Sequence, residues 1–223
     1  MQNVCDIRKQ LIQKYKAEDF VIDKSGVQMV ELIGATFLAD EPAVFGKPND
    51  DWHARELAWY QSMSLNVNDI PEPIPAIWKE VSSKYGFINS NYGYLIWSDE
   101  NHNQYDNVLK ELQSNPFSRR AEMIYTRPSI WKEYDKDGMS DWICTDSVQY
   151  FIRSGKLVAH VRMRSNDLVF GYKGDYAWQR YVQTILAQDL GVDIGDLIWT
   201  AGSFHAYERH FPMIAASEEW VQQ

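Results

Sequence analysis

Val148-Gln149-Tyr150-Phe151-Ile152-Arg153-Ser154-Gly155-Lys156-Leu157-Val158-Ala159-His160-Val161-Arg162-Met163-Arg164 is the stretch that decides the fold. Val148, Tyr150 and Ile152 alternate before Ser154-Gly155, and Leu157, Ala159, Val161 and Met163 alternate after it. Period-two patterning on both sides of a two-residue turn predicts a hairpin with one buried face, which sets Arg164 at a strand end. Upstream stands Asp141-Trp142-Ile143-Cys144-Thr145-Asp146, and downstream Ser165-Asn166-Asp167. A lone thiol and a compact polar, anion-binding cluster thus flank one rigid hairpin. A single cysteine is more often a small buried hydrophobe than a nucleophile. A thiolate near a phosphate site, however, suggests chemistry on a nucleotide.

Outward from the hairpin, the apolar spacing of Ile7, Leu11, Ile12 and Tyr15 predicts a helix over 6–18, and 27–37 reads as a strand interrupted at Gly34. Residues 50–64 carry Trp52, Glu56, Trp59, Tyr60 and Met63 at helical spacing, so a carboxylate falls inside an apolar stripe and is expected to be buried. Glu56 is then either a structural partner for an arginine or a proton-transfer group whose pKa is raised by desolvation, and the sequence leaves these about even. Residues 89–97 read as aromatic and turn-like, 101–113 as a helix, and 122–125 as a strand. From Asp175 a helical run through Trp178, Tyr181, Val182, Ile185, Leu186 and Leu190 stops at Gly191, and 198–207 forms a last strand with His205 and Tyr207 on one face. Helices with a mainly antiparallel or mixed sheet indicate an α+β fold.

The 223 residues, 45% hydrophobic, suffice for one substantial core, and no linker or repeat divides them, so a single domain over 1–223 is expected. No signal-like or membrane-length apolar run is present, which predicts a soluble, cytoplasmic protein. Cys5 and Cys144 make neither a disulfide framework nor a zinc spacing, so no metal is expected. A net charge of −9 opposes nucleic-acid binding in the absence of a basic stripe. Arg119-Arg120 and Arg162/Arg164 are clusters suited to one phosphate. The nine Trp and 13 Tyr offer stacking surfaces, although core packing accounts for such residues equally well.

Ordered motifs run almost the whole chain: Asp23-Lys24-Ser25-Gly26-Val27, Arg55-Glu56-Leu57, Asn89-Ser90-Asn91-Tyr92-Gly93, Ser118-Arg119-Arg120, Tyr125-Thr126-Arg127-Pro128-Ser129 and Lys136-Asp137-Gly138-Met139-Ser140-Asp141. Met163-Arg164-Ser165-Asn166-Asp167, Gly174-Asp175-Tyr176-Ala177-Trp178-Gln179 and Gly202-Ser203-Phe204-His205-Ala206-Tyr207 complete the set. Together they resemble the thymidylate synthase superfamily, and within it the deoxycytidylate hydroxymethylases of T-even-type phages. The resemblance implies a thymidylate synthase-like fold and a homodimer through the sheet. It implies that Cys144 adds to C6 of the pyrimidine of dCMP, so that C5 attacks the one-carbon unit of 5,10-methylenetetrahydrofolate and water completes a 5-hydroxymethyl group. Lys24, Arg164 and Ser165 would hold the phosphate with Arg119 and Arg120 of the other subunit, His205 and Tyr207 the sugar, Glu56 water and protons at the base, and Asp167 the folate pterin. Without the resemblance, Arg119-Arg120 reads as readily as a solvated pair, His205 as a strand residue and Asp167 as a turn former.

Asp175 stands where thymidylate synthases carry Asn, and a carboxyl group suits the 4-amino donor of cytosine; Asp after Gly is also a common helix start. Thr145 replaces a His of thymidylate synthases, and Ile96, beside Trp97, stands near a Trp; both changes are shared with the hydroxymethylases and favour water over hydride by analogy. At Glu218-Glu219-Trp220-Val221-Gln222-Gln223 the chain ends earlier than the phage enzymes, and thymidylate synthases cover folate with their tail, so less complete closure is expected. Rival readings are a dCMP methyltransferase, a CMP hydroxymethylase, and a non-catalytic nucleotide-binding subunit of a deoxynucleotide-synthesis assembly. Cys144 and Glu56 weigh against the last, since binding needs neither. A papain-like hydrolase fits poorly, because neither His205 nor His210 sits in a protease context.

Overall fold

The expected hairpin is the centre of a six-stranded sheet in the computed structural model, which describes residues 1–217. The tail at 218–223, and with it the expectation about folate cover, lies outside the described residues. In chain order the elements are α1 (Val4–Lys16), β1 (Val21–Ile22), β2 (Gln28–Leu38), α2 (Asp50–Ser62), α3 (Ala76–Val81), α4 (Tyr92–Trp97) and α5 (Gln104–Ser114). There follow β3 (Glu122–Ile124), α6 (Ile130–Glu133), β4 (Thr145–Arg153), β5 (Lys156–Asp167), α7 (Gly171–Leu190), β6 (Asp193–Tyr207) and α8 (Phe211–Ala216). The sheet order is β1-β2-β6-β5-β4-β3, antiparallel except for the parallel β5–β6 pair, so the α+β class and the mixed sheet are as expected.

At the hairpin turn Ser154 and Gly155 both take positive φ, 50° and 74°, the twist that joins two strands through two residues. Val148, Tyr150, Ala159, Val161 and Met163 point inward and are buried, continuing across β6 through Leu197 and Trp199 and into β2 through Phe37. A parallel neighbour needs a crossover, and the 20-residue α7 supplies it, burying Tyr172, Trp178, Val182 and Leu186 before Gly191 ends it at φ 66°. The opposite face of the sheet carries no helix among the described residues: Gln149, His160, Arg162, Ile198 and Thr200 are half-buried and Thr36 exposed. Polar bonds lace this open face, with Thr200 Oγ1 3.1 Å from Thr36 Oγ1 and 2.9 Å from His160 Nε2, and Arg162 donating to Glu122 at 2.8 Å and Gln149 at 2.7 Å.

Three local expectations change. Gly34, at φ 67°, does not break β2, which runs through it to Leu38. The turn-like 89–97 segment contains α4: Asn91 caps it by accepting from Tyr94 N at 2.9 Å, and Gly93 lets it touch α2, where a Cβ would lie 1.8 Å from the Tyr60 carbonyl. Asp175 does not cap α7, because the helix starts at Gly171 and Asp175 lies in its second turn.

Candidate active site

The loop entering β4 carries Cys144, and β5 beside it carries Arg164, whose backbone N–H donates to the Cys144 carbonyl at 2.9 Å. The Arg164 guanidinium is clamped from below: Nε donates to the Ile143 carbonyl at 3.1 Å and Nη2 to the Trp142 carbonyl at 2.9 Å. It also sits 5.7 Å from the centre of the Trp142 ring and, through Nη2, 3.6 Å from Cys144 Sγ. An exposed cation fixed at a thiol can meet an anion from solvent and favour the thiolate at once. Against it stands burial, which pushes the Cys144 thiol up to about 12, with Arg164 opposing and Asp175, Asp141 and Asp146 adding to the rise. Asp141 is itself buried and accepts from Asn89 N, Ser90 N and Ser90 Oγ at 2.6, 2.8 and 2.7 Å, which ties the Cys144 loop to the entry of α4.

Asp175 faces this thiol from α7. Burial raises its carboxyl to about 7, while hydrogen bonds from Asn166 and Tyr92 oppose the rise. The polarity of the Asn166 contact is fixed by chemistry. Trp199 Nε1 can only donate, so the Asn166 atom 3.2 Å away is its oxygen, and the Asn166 amide nitrogen therefore donates to Asp175 Oδ2 at 2.7 Å. Asp175 Oδ2 is an obligatory acceptor, and a proton held by this carboxyl sits on the other oxygen.

Glu56 enters from α2 and is 8% exposed; burial, then the charge of Asp175, raises it to about 8, with Trp78 and Tyr60 opposing. Among the described residues no arginine pairs with it, the adjacent Arg55 bonding Asp51 at 3.0 Å, so the structural ion-pair alternative is set aside. Gly174 makes room for it: a Cβ there would lie 2.9 Å from Glu56 Oε2. A cavity of about 140 Å³ opens beside the carboxyl, lined by His53, Leu57, Tyr60, Ala177 and Trp178 among others, with room for water. Tyr60 ties this wall together, 5.3 Å from Tyr92 and 5.0 Å from Trp178 between ring centres, so much of the aromatic excess is packing. Trp97 belongs to it too, edge-on to Trp178 at 5.4 Å, while Ile96 is fully buried.

At the end of β6, His205 is buried, which lowers its pKa, and its ring lies 5.1 Å from that of Tyr207. Ser203 Oγ donates to a Glu31 carboxylate oxygen, so at 3.0 Å from His205 Nδ1 it must accept. The neutral imidazole thus carries its proton on Nδ1 and offers Nε2 as an acceptor, suited to a hydroxyl. Lys24 lies on the exposed turn between β1 and β2, whose Asp23 is near enough to raise the Tyr207 pKa after the larger effects of burial and Asp167. Ser165 follows Arg164 on β5 and pairs with Ser203 of β6. Asp167 Oδ1 accepts from Val169 N at 2.8 Å and Phe170 N at 2.9 Å, the turn-forming role that was the alternative to pterin binding, and Oδ2 is 3.5 Å from Arg209.

Arg119 and Arg120 are not brought to this cluster within one chain. They are exposed before β3, where Arg120 pairs with Glu111 at 3.1 Å and the Arg119 carbonyl accepts from Gln149 on the open sheet face at 2.8 Å. Two residues carry site geometry without having been assigned roles from sequence, Asn166 and Tyr92. Both lie inside the recognised motifs, yet only the fold reveals that one orients Asp175 and the other bonds it.

The family model for thymidylate synthase matches residues 49–219, which include Glu56, Cys144, Arg164, Asp175 and His205. The chain belongs to the thymidylate synthase family. It is 53% identical over 216 residues to the deoxycytidylate 5-hydroxymethyltransferase of Enterobacteria phage T4, covering 94% of this chain and 88% of that protein. It is 32% identical over 175 residues to the thymidylate synthase of Bacillus subtilis subsp. natto, covering 75% of this chain and 61% of that protein. Thymidylate synthase A of Bacillus subtilis superposes with a TM-score of 0.72 at 24% identity, covering 99% of this chain and 83% of that one, and establishes the shared fold. Among the described residues no helix is long and apolar enough to cross a membrane, and no cluster of His, Cys, Asp and Glu suits a metal ion.

Proposed function

We propose that the chain is a deoxycytidylate 5-hydroxymethyltransferase acting in the cytoplasm. The observation that carries this is the Asp175 carboxyl beside Cys144, whose Oδ2 is fixed as an acceptor by the Trp199–Asn166 chain so that the other oxygen is left for a base offering an amino group. Arg164, with Ser165 and Lys24, takes the phosphate, and Nε2 of His205, with Tyr207, receives the sugar hydroxyl. The Cys144 thiolate adds to C6 of the cytosine, which makes C5 a carbon nucleophile. 5,10-Methylenetetrahydrofolate supplies the one-carbon unit, and Asp167 with the exposed ring of Phe170 fits its pterin end. After C5 gives up its hydrogen, Glu56 delivers water from the adjacent cavity to the new exocyclic carbon, and release of Cys144 restores the aromatic base. The balance is dCMP, the folate and water in, and 5-hydroxymethyl-dCMP and tetrahydrofolate out. Incubation with dCMP and 5,10-methylenetetrahydrofolate should give a product heavier by one CH₂O and no dihydrofolate. A methylated product with dihydrofolate would overturn the reading in favour of hydride transfer.

Base choice supplies a sharper test. In Asp175→Asn, Asn166 still donates, so the new side chain must give it the amide oxygen and turn its NH₂ toward the base. A donor there suits O4 of uracil and opposes the 4-amino group of cytosine. A mismatch of this kind costs about 1–3 kcal/mol, so the dCMP/dUMP ratio of kcat/KM is expected to fall by roughly one to two powers of ten or more. An unchanged ratio in a folded variant would remove Asp175 from base recognition.

A homodimer through the open sheet face would bring Arg119 and Arg120 to the partner's phosphate, and their position at the margin of that face supports this arrangement. Mixing Arg120→Ala with Cys144→Ala subunits tests it. In the hybrid one site carries both defects and the other neither, so activity should return toward half that of the wild-type dimer. Verified hybrids with no recovery would mean that the arginines act in cis or not at all.

A further inference from the structure

The fold commits the N–H groups along one edge of the Arg164 guanidinium. Nε donates to the Ile143 carbonyl at 3.1 Å, while Nη2 donates to the Trp142 carbonyl at 2.9 Å and reaches Cys144 Sγ at 3.6 Å. Among the described residues Nη1 makes no hydrogen bond, so both of its N–H groups are left for an anion. Two bonds along one edge act as a hinge: they fix that edge and leave the plane free to swing about it, carrying Nη1 along. The indole of Trp142 lies against the flat face, its ring centre 5.7 Å from Cζ, and resists that swing. Trp142 is itself braced. Trp131 meets it edge-on at 4.4 Å with an interplanar angle of 85°, and Tyr134 lies 4.9 Å away. Both come from α6 and its C-terminal end, which the buried Ile130 and the Arg127–Glu133 ion pair anchor. Trp131 is 71% exposed, so it adds little to the core, and the contact it does make is with the Trp142 ring.

We propose that Trp142, braced by Trp131 and Tyr134, is the positioning residue that sets the plane of Arg164 for the nucleotide phosphate, an inference that rests on the phosphate role given to Arg164 above. A guanidinium recognises phosphate oxygens through its planar fork, so the tilt of that plane decides how well Nη1 meets them. The hinge edge, with its contact to Cys144, comes from backbone carbonyls and does not depend on the indole. Loss of the ring should therefore weaken phosphate binding and spare the chemistry.

The test compares calorimetric affinities for dCMP and for deoxycytidine, which lacks the phosphate, on wild type, Trp142→Leu, Trp142→Phe and Trp131→Ala. In Trp142→Leu the dCMP affinity is expected to fall about tenfold, with deoxycytidine binding unchanged. Trp142→Phe keeps a ring face and should recover most of the loss, and Trp131→Ala should show a smaller loss of the same selectivity. In turnover, KM for dCMP should rise in Trp142→Leu while kcat holds. A lysine has no plane to set, so in an Arg164→Lys background Trp142→Leu should cost almost nothing further. Equal losses for dCMP and deoxycytidine, unchanged dCMP affinity in folded Trp142→Leu, a Phe variant no better than Leu, or an undiminished loss in the Arg164→Lys background would each overturn the proposal. Should Trp142→Leu fail to fold, Trp131→Ala, at an exposed position, decides the question by the same comparison. Wild type that binds dCMP no better than deoxycytidine would remove the phosphate role of Arg164 and this inference with it, a failure visible before any variant is made.

Discussion

Replacing Cys144 with alanine is expected to abolish turnover, lowering kcat by roughly four to six orders of magnitude, the scale seen when a nucleophile is removed from a site that acts as a unit. In the proposed mechanism the thiol is the group that forms a bond to the pyrimidine. Without it C5 is never made nucleophilic, so release of the C5 hydrogen should vanish together with product. Nucleotide binding should survive, because Arg164 is held by the backbone carbonyls of Trp142 and Ile143, which the substitution leaves in place. The fold should survive as well, since Cys144 is half-buried and the hydrogen bonds of its sulfur among the described residues are long, 3.6 Å to the Trp142 carbonyl and 3.6 Å to Arg164. Hydrogen release from C5-labelled dCMP, product mass and calorimetric dCMP affinity check the three parts separately. Retained hydrogen release would mean that the base is activated without a thioether, and the mechanism would be lost. The high pKa of the free thiol, about 12, carries a corollary. In the proposed mechanism the thiolate forms in the loaded site, which is where arginines contributed by a second subunit would matter.

The sequence discloses the frame of this site because its strongest signals are local. Alternation around Ser154-Gly155 fixes which residues of β4 and β5 face the core, and that parity sets Arg164 beside Cys144. Glu56 is legible for a similar reason, as a carboxylate inside a helical apolar stripe. What stays hidden depends on contacts between distant segments. The start of α7 is hidden because Phe170 offers no capping side chain and Gly174-Asp175 imitates a helix start, while the true start is set by Asp167 taking the Val169 and Phe170 amides. α4 is equally hidden, because Tyr92–Trp97 is a short aromatic run with no polar face, made helical by the Asn91 cap and by the contact of Gly93 with Tyr60. The orientation of Asp175 depends on Trp199, 24 residues later in sequence and on strand β6, so no periodicity reveals it.

For Glu56→Gln the expected loss of kcat/KM is about 10²–10⁴-fold, the usual contribution of a positioned proton-transfer group. Glutamine keeps the size and hydrogen bonding of the side chain but cannot pass a proton to or from water. The pH dependence gives the stronger test, because burial has raised this carboxyl from an ordinary 4.5 to about 8. Between those two pH values the folded protein holds a proton that the unfolded chain has released. Stability contributed by this proton is therefore present at low pH and declines as pH rises through the window, the reverse of a carboxylate held low by a salt bridge. Glutamine is neutral throughout. The melting temperature of the variant relative to wild type should accordingly sit near parity at pH 4–5, improve up to about pH 8 and level off above it. In kinetics, the limb near pH 8 that belongs to the Glu56–Asp175 pair should change shape, leaving a single titration assigned to Asp175. Parallel melting curves across the whole pH range would show that Glu56 is not protonated in the folded state. Activity within tenfold of wild type would remove it from proton transfer. A variant that is more stable at alkaline pH and nearly inactive is the outcome that follows from a buried carboxyl kept for chemistry at the expense of the fold.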